Sequence, residues 1–207
     1  MIKVIPGYMA KNYPELFEQV YALRYRTFVE KMKWDLPSYD GKETDQFDTD
    51  STVHFISMRE GKVAGYIRAL PTIKPHLMST VLTDLLMKEP PTGHGIWEAS
   101  RYCVDPNWQE GRRAFGGVGG ELICGLVEWS MAHDVKDLLF QFEINWVLRA
   151  MTLNFGVETL GMPQQIDNQT VIAARLTITD RTLPTIRHTR DHFSPVISVV
   201  SEPAIAV

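Results

Sequence analysis

The sequence predicts a mixed α/β fold, a central sheet flanked by helices, and three observations carry that expectation. Strand-like runs at 54–59, 62–70, 96–104, 137–144 and 170–179 interleave with helical-period runs at 13–31, 117–133 and 146–155. The Glu60-Gly61 pair between the first two strand-like runs is a short-hairpin signal. No repeat, low-complexity tract or linker-like composition shift divides the chain, so residues 1–207 read as one domain. A chain of this length buries about 70% of its unfolded surface, enough for a core without staples.

Each element has a local reason. Residues 13–31 carry Leu16, Val20, Leu23 and Thr27 at helical spacing, with Pro14 near the start where a missing N–H costs nothing. Residues 35–50 hold Pro37, Gly41 and six acidic residues, too polar and irregular for a core element, and are expected to form a loop. Residues 79–87 read as a short helix capped by Ser79 or Thr80. After the strand at 96–104 come an amphipathic helix at 117–133, a strand at 137–144 and a helix at 146–155 ending at Gly156. Val171, Ala173 and Arg175 alternate in the last long strand, which is followed by a helix from Leu183 and an extended tail.

Composition excludes several function classes. A formal net charge of -4, with 21 Lys+Arg against 25 Asp+Glu, leaves no basic footprint for nucleic acid. The first residues, Met1-Ile2-Lys3-Val4-Ile5-Pro6, carry no apolar run suited to a signal peptide or membrane span, so no membrane partner is expected. Cys103 and Cys124 lie in apolar segments without ligand spacing, as buried thiols of a reducing compartment do, which makes the cytoplasm the expected location. No metal is expected. His188 and His192 lack a His-Glu-x-x-His context, and Asp45 and Asp48 lack the residue order of a calcium loop.

The chemistry concentrates in Trp97-Glu98-Ala99-Ser100-Arg101-Tyr102, together with Arg24, Phe28, Trp34, Asp45, Asp48 and Arg68. Carboxylates, guanidiniums and aromatic rings in one set suit a small molecule that carries an amine, a carboxylate and a further cation. In a regular strand Glu98 and Arg101 would face opposite ways, so both can serve one pocket only if the strand is bulged between Trp97 and Tyr102. A bulge would turn backbone N–H groups near Tyr102 and Val104 toward a substrate carbonyl and its oxyanion. The competing reading is an ordinary strand with a surface Glu–Arg pair.

These residues resemble those of the acyl-homoserine-lactone (autoinducer) synthases of bacterial quorum sensing, over about residues 21–174. The resemblance rests on Arg24, Phe28 and Trp34 at the family's spacing, and on Asp45-Gln46-Phe47-Asp48 as its acidic pair. It rests equally on Arg68-Ala69-Leu70-Pro71-Thr72 as its arginine strand and on Glu98 to Arg101 as its Glu-x-Ser-Arg strand. It implies a fold like that of the GNAT N-acyltransferases, a twisted mixed sheet whose middle strands splay apart to admit a pantetheine arm. It also implies two substrates, S-adenosylmethionine (SAM) and an acyl thioester, and no cofactor. The methionyl amine attacks the thioester carbonyl, and the methionyl carboxylate then displaces methylthioadenosine to close a lactone. On that basis Phe28 and Trp34 hold the sulfonium and Arg24 and Arg101 receive the carboxylate. Asp45, Asp48 and Arg68 orient the amine or lock the arginines, and Glu98 is the base.

The acyl donor is read from further segments. Arg112-Arg113-Ala114-Phe115-Gly116-Gly117 precedes a helix, and a Gly-rich turn with two arginines suits a pyrophosphate. It comes close to the GNAT coenzyme A pattern without matching it. The chain is similar to the acyl-CoA-using branch of the family at 45–49, 142–146 and 160–164, which favours acyl-CoA over acyl carrier protein. Phe142 and Trp146 are then the expected walls of the acyl channel, with Tyr102, Val104, Arg112 and Arg113 along the pantetheine path. Two other classes compete. An acetyl-CoA-dependent acyltransferase of another amine would release no methylthioadenosine, and a non-catalytic SAM or thioester binding module would show no turnover.

Overall fold

The computed structural model describes residues 1–108, 117–166 and 168–199. In chain order the first elements are β1 (Ile2–Pro6), α1 (Pro14–Arg24), β2 (Ser38–Tyr39), β3 (Lys42–Glu43), β4 (Val53–Arg59), β5 (Lys62–Pro71) and α2 (Leu77–Thr80). There follow β6 (Ile96–Val104), α3 (Val118–Ala132), β7 (Asp137–Glu143), α4 (Asn145–Thr152), β8 (Gly156–Thr159), β9 (Gln164–Ile166), β10 (Gln169–Thr177), α5 (Thr182–Arg190) and β11 (Ile197–Val199). This mixture is the α/β class expected from the sequence. The chain forms two compact units: Met1–Arg68 with the described residues of Arg101–Gly125 and Pro195–Val207, and Ala69–Ser100 with the described residues of Leu126–Ser194.

In the first unit β1 pairs antiparallel with β4, from Ile2↔Ser57 to Pro6↔Val53, and parallel with β11, from Ile2↔Ile197 to Val4↔Val199. The segment expected only as an extended tail therefore adds a strand beside β1. No local pattern announces it, because a parallel pairing across nearly the whole chain is set by tertiary packing. The β4–β5 hairpin turns on Glu60 at φ 50° and Gly61 at φ 76°, the two positive angles of a type I′ turn. Helix α1 starts with Pro14 at its first turn and buries Phe17, Val20, Leu23 and Arg24. The apolar members of that face join Ile5, Ile56, Val63 and Tyr66 in one core. Residues 25–31 continue it as a π-helical turn, closed by the Met32 N–H donating to the Thr27 carbonyl at 3.0 Å.

The acidic segment is not a simple loop. Asp40 at φ 50° and Gly41 at φ 70° make a second type I′ turn, pairing Ser38 with Glu43 and Tyr39 with Lys42. The hairpin gives Glu43 a fully buried place, although its neighbours in the segment are mostly exposed.

In the second unit β6 pairs parallel with β7, from Ile96↔Asp137 to Glu98↔Leu139. β10 runs antiparallel to β7, β8 and β9. Met78, Leu85, Leu139, Leu160, Val171 and Ala173 form its core. Gly161 is there for space: a Cβ would stand 2.0 Å from the Leu85 carbonyl oxygen.

Two helix boundaries differ from those expected. Helix α2 begins at Leu77, with His76 as the residue before it, and a separate 3-10 turn covers Thr83–Leu85. Ser79 and Thr80 do not cap it from outside. They close it from within, their hydroxyls donating to the His76 carbonyl at 3.0 and 2.7 Å. Helix α4 ends before Gly156, because Asn154 takes the left-handed conformation at φ 59° and Gly156 opens β8 instead. Both cysteines are buried and take part in no disulfide among the described residues, and burial pushes the Cys103 thiol up to about 12. Among the described residues no helix is long and apolar enough to cross a membrane.

Candidate active site

Six charged side chains of the first unit meet around α1, the β2–β3 hairpin and the segment after it, Arg68 of β5 and Arg101 of β6. Arg24 Nε donates to Glu43 Oε2 at 2.6 Å, and its Nη1 donates to both oxygens of Asp48 at 2.8 and 3.0 Å. Arg68 grips Asp45 with both terminal nitrogens at 2.7 and 2.6 Å and reaches Asp48 at 2.7 Å. Arg101 Nη2 bridges Glu43 at 3.0 Å and Asp45 at 2.8 Å. Three guanidiniums thus face three carboxylates, and the formal charge of the cluster cancels. That balance matters because none of the six exposes more than a tenth of its side chain, and an uncompensated charge there would cost several kcal/mol.

The electrostatics agree. Burial pushes the Asp48 carboxyl up, but the neighbouring Arg24 and Arg68 outweigh it and hold the group far below the usual carboxylate range. Asp45 is lowered on the same terms, with burial opposed chiefly by Arg68. Behind the cluster His54 Nδ1 and the Tyr66 hydroxyl share a buried hydrogen bond of 2.7 Å. Burial pushes His54 down to about 3, so near neutral pH it adds no charge to the count.

The predicted strand irregularity is present. Arg101 has φ 57°, a left-handed conformation that a non-glycine residue adopts at a cost of about 1 to 3 kcal/mol and that functional sites often hold. Regular alternation of β6 breaks there, and residues 98–101 are buried in succession. Phe28 and Trp34 stack, with ring centroids 5.3 Å apart and planes at 15°, and the Arg101 guanidinium carbon lies 5.5 Å from the Phe28 centroid. The stack follows from backbone geometry. Lys33 at φ 63° turns the chain back after the π-helical turn, and the Trp34 N–H closes on the Phe28 carbonyl at 2.9 Å. Such π-helical turns recur at functional sites. Phe28 is buried, and half-buried Trp34 is the member of the pair with open surface.

In the second unit Glu98 is completely buried and accepts three hydrogen bonds. His76 Nδ1 lies 2.5 Å from Oε2, the Met78 N–H donates to Oε2 at 2.9 Å, and the Leu77 N–H donates to Oε1 at 3.3 Å. Half-buried Phe142 on β7 lies 5.9 Å from Phe140, ring to ring, and half-buried Trp146 on α4 carries the Arg149 guanidinium at 4.9 Å from its centroid. In the first unit Tyr102 explains Gly119 in the first turn of α3: a Cβ there would stand 2.2 Å from the Tyr102 hydroxyl and 3.7 Å from Val104. Arg112, Arg113 and Gly116 lie outside the described residues.

The structure therefore gathers Arg24, Phe28, Trp34, Asp45, Asp48, Arg68 and Arg101, as their residue types suggested, and adds two groups the sequence reading missed. Glu43 was legible through Asp40-Gly41, a strong type I′ signal between Ser-Tyr and Lys-Glu. His76 carried no such signal, since a lone histidine after Pro75 has no ligand or helix spacing. Arg24 is 0% exposed, with Nε and Nη1 committed to Glu43 and Asp48 and Nη2 buried without a hydrogen-bond partner among the described residues.

Comparison with known proteins adds a separate line of support. The autoinducer synthase family model matches residues 9–186. An isovaleryl-homoserine lactone synthase of Bradyrhizobium diazoefficiens is 31% identical over 185 residues, covering 88% of this chain and 82% of the relative. An acyl-homoserine-lactone synthase of Agrobacterium fabrum is 28% identical over 170 residues, covering 80% of this chain and 81% of the relative. A solved CoA-dependent acyl-homoserine lactone synthase with SAM and isopentyl-CoA superposes with a TM-score of 0.87 at 28% identity, covering 98% of this chain and 94% of that one. A putative N-acetyltransferase from Lactobacillus plantarum shares the fold at a TM-score of 0.55 and 16% identity, covering 86% of this chain and 99% of that one.

Proposed function

This chain belongs to the autoinducer synthase family, and from that membership we propose that it acylates SAM on nitrogen from an acyl-CoA and then closes the product to an acyl-homoserine lactone. In the first step the α-amine attacks the thioester carbonyl. The C–N bond forms, the carbon–sulfur bond of the thioester breaks, and the amine proton passes to the base while the thiolate of coenzyme A leaves. In the second step a methionyl carboxylate oxygen attacks Cγ and methylthioadenosine departs as a neutral sulfide. Carboxylate and sulfonium cancel in this step, so a site of low dielectric favours it.

The observation that carries this reading is the charge-neutral cluster of Arg24, Arg68, Arg101, Glu43, Asp45 and Asp48 beside the Phe28–Trp34 stack. Arg101, whose guanidinium carbon lies 5.5 Å from the Phe28 ring centroid, receives the substrate carboxylate, and the open face of Trp34 holds the sulfonium. An aromatic face contributes about 0.5 to 2 kcal/mol to such a cation. Asp45 and Asp48, braced by Arg24 and Arg68, attract the ammonium form. Glu98 takes the proton, because an α-amine of pKa about 8 is mostly protonated at neutral pH and attacks only when neutral.

The acyl donor is supported by the similar proteins. The Bradyrhizobium relative is named for an isovaleryl product, and the superposed structure holds isopentyl-CoA. Trp146 and Phe142 then narrow the channel toward short branched or aromatic acyl groups. Steady-state kinetics with matched acyl-CoA and acyl-carrier-protein substrates tests the donor. The expected result is a kcat/KM for the CoA thioester at least equal to that for the carrier; a preference of about 100-fold for the carrier, about 2.7 kcal/mol of transition-state stabilisation, overturns it.

A further inference from the structure

We propose that His76 is a positioning residue for Glu98, fixing which carboxylate oxygen takes the proton from the attacking amine. The inference rests on the reading of Glu98 as the base. A carboxylate offers about four lone-pair directions. At Glu98, Oε2 uses two of them, toward His76 Nδ1 at 2.5 Å and the Met78 N–H at 2.9 Å, while Oε1 accepts one long bond from the Leu77 N–H at 3.3 Å. The open lone pair among these contacts therefore lies on Oε1. His76 sets that asymmetry: without it the side chain could rotate and present either oxygen.

The imidazole is itself held in place. His76 is 1% exposed, and its backbone is clamped at both polar groups. Its N–H donates to Ser79 Oγ at 2.9 Å, while its carbonyl accepts from the Ser79 and Thr80 hydroxyls. With the backbone fixed from one side and Nδ1 directed at Oε2 from the other, the ring has one orientation. In the proposed arrangement Nδ1 carries the hydrogen and donates it to the carboxylate. A catalytic group needs such support, since a loss of alignment of about half an ångström already lowers its effectiveness.

Three variants test this. In His76→Asn the side-chain amide nitrogen replaces Nδ1 as the donor; His76→Leu keeps bulk and removes the donor. His76→Leu should lower kcat about 10- to 100-fold, within the range a general base contributes, with SAM KM changed less than about 3-fold. His76→Asn should recover most of that loss. Ser79→Ala, which loosens the backbone clamp, should give a smaller loss in kcat with the same unchanged KM, and it keeps the test available if the leucine variant folds poorly. Turnover of His76→Leu or Ser79→Ala at the wild-type rate, or a folded His76→Asn no better than His76→Leu, overturns the proposal. Glu98→Gln separates the two ideas: if it retains wild-type turnover the base assignment is wrong, whereas an inactive Glu98→Gln beside a normal His76→Leu removes only the role of His76.

Discussion

Glu98→Gln is expected to lower single-turnover acylation by about 100- to 10,000-fold while SAM affinity stays within a few-fold of wild type. The substitution is nearly isosteric, and the amide oxygen can still accept from His76 Nδ1 and the Met78 N–H, so only the long contact from the Leu77 N–H at 3.3 Å is lost. What disappears is the ability to take a proton from the amine. The side chains proposed to bind SAM, Arg101, Asp45 and Asp48, are not altered by the substitution. Rapid-quench measurement of acyl transfer, with calorimetric titration of SAM, checks both halves. Near-wild-type transfer in this variant would make Glu98 a structural residue.

The second large effect is on stability. Arg24→Ala removes one of three cations from a cluster of six buried charges and leaves Glu43 and Asp48 each short of a partner. Breaking such a network costs about 3 to 5 kcal/mol. For a chain of this size each kcal/mol moves Tm by about 2 to 4 °C, so Tm should fall by roughly 6 to 20 °C. Arg101→Ala should reduce both Tm and SAM affinity, because Arg101 bridges Glu43 and Asp45 and is the residue proposed to receive the substrate carboxylate. Trp34→Ala is the contrast. It removes the open face of the aromatic stack and should raise the KM for SAM with little change in Tm. Differential scanning calorimetry with SAM titrations separates these outcomes, and an Arg101→Ala protein of normal stability and normal SAM affinity would contradict the network.

Much of this was legible because the relevant signals are local. Glu60-Gly61 turns as its residue types require, and the β6 strand has the bounds its pattern gives, Ile96–Val104. The need for Glu98 and Arg101 to escape strict alternation predicted an irregular strand, and the positive φ of Arg101 is that irregularity. What stayed hidden has physical reasons. The π-helical turn at residues 25–31 keeps enough helical periodicity to look like more of α1, since the widening is a hydrogen-bond shift and not a change of residue pattern. Polar composition concealed β2 and β3: Glu43 resembles a solvated loop charge until Arg24 and Arg101 are known to meet it. Asn154 ended α4 earlier than Gly156 because asparagine tolerates the left-handed conformation too. His76 acquires meaning only through Glu98, which lies 22 residues away in sequence.

The measurement that tests the central claim most directly is the stoichiometry of products from purified protein given SAM and a short branched acyl-CoA. The two-step reaction requires one methylthioadenosine for every coenzyme A thiol released, with neither formed when one substrate is omitted. Mass spectrometry of the same mixture should show the matching acyl-homoserine lactone. Thiol release without methylthioadenosine would instead identify an acyltransferase acting on another amine, and no release of either product would leave a binding protein without this chemistry.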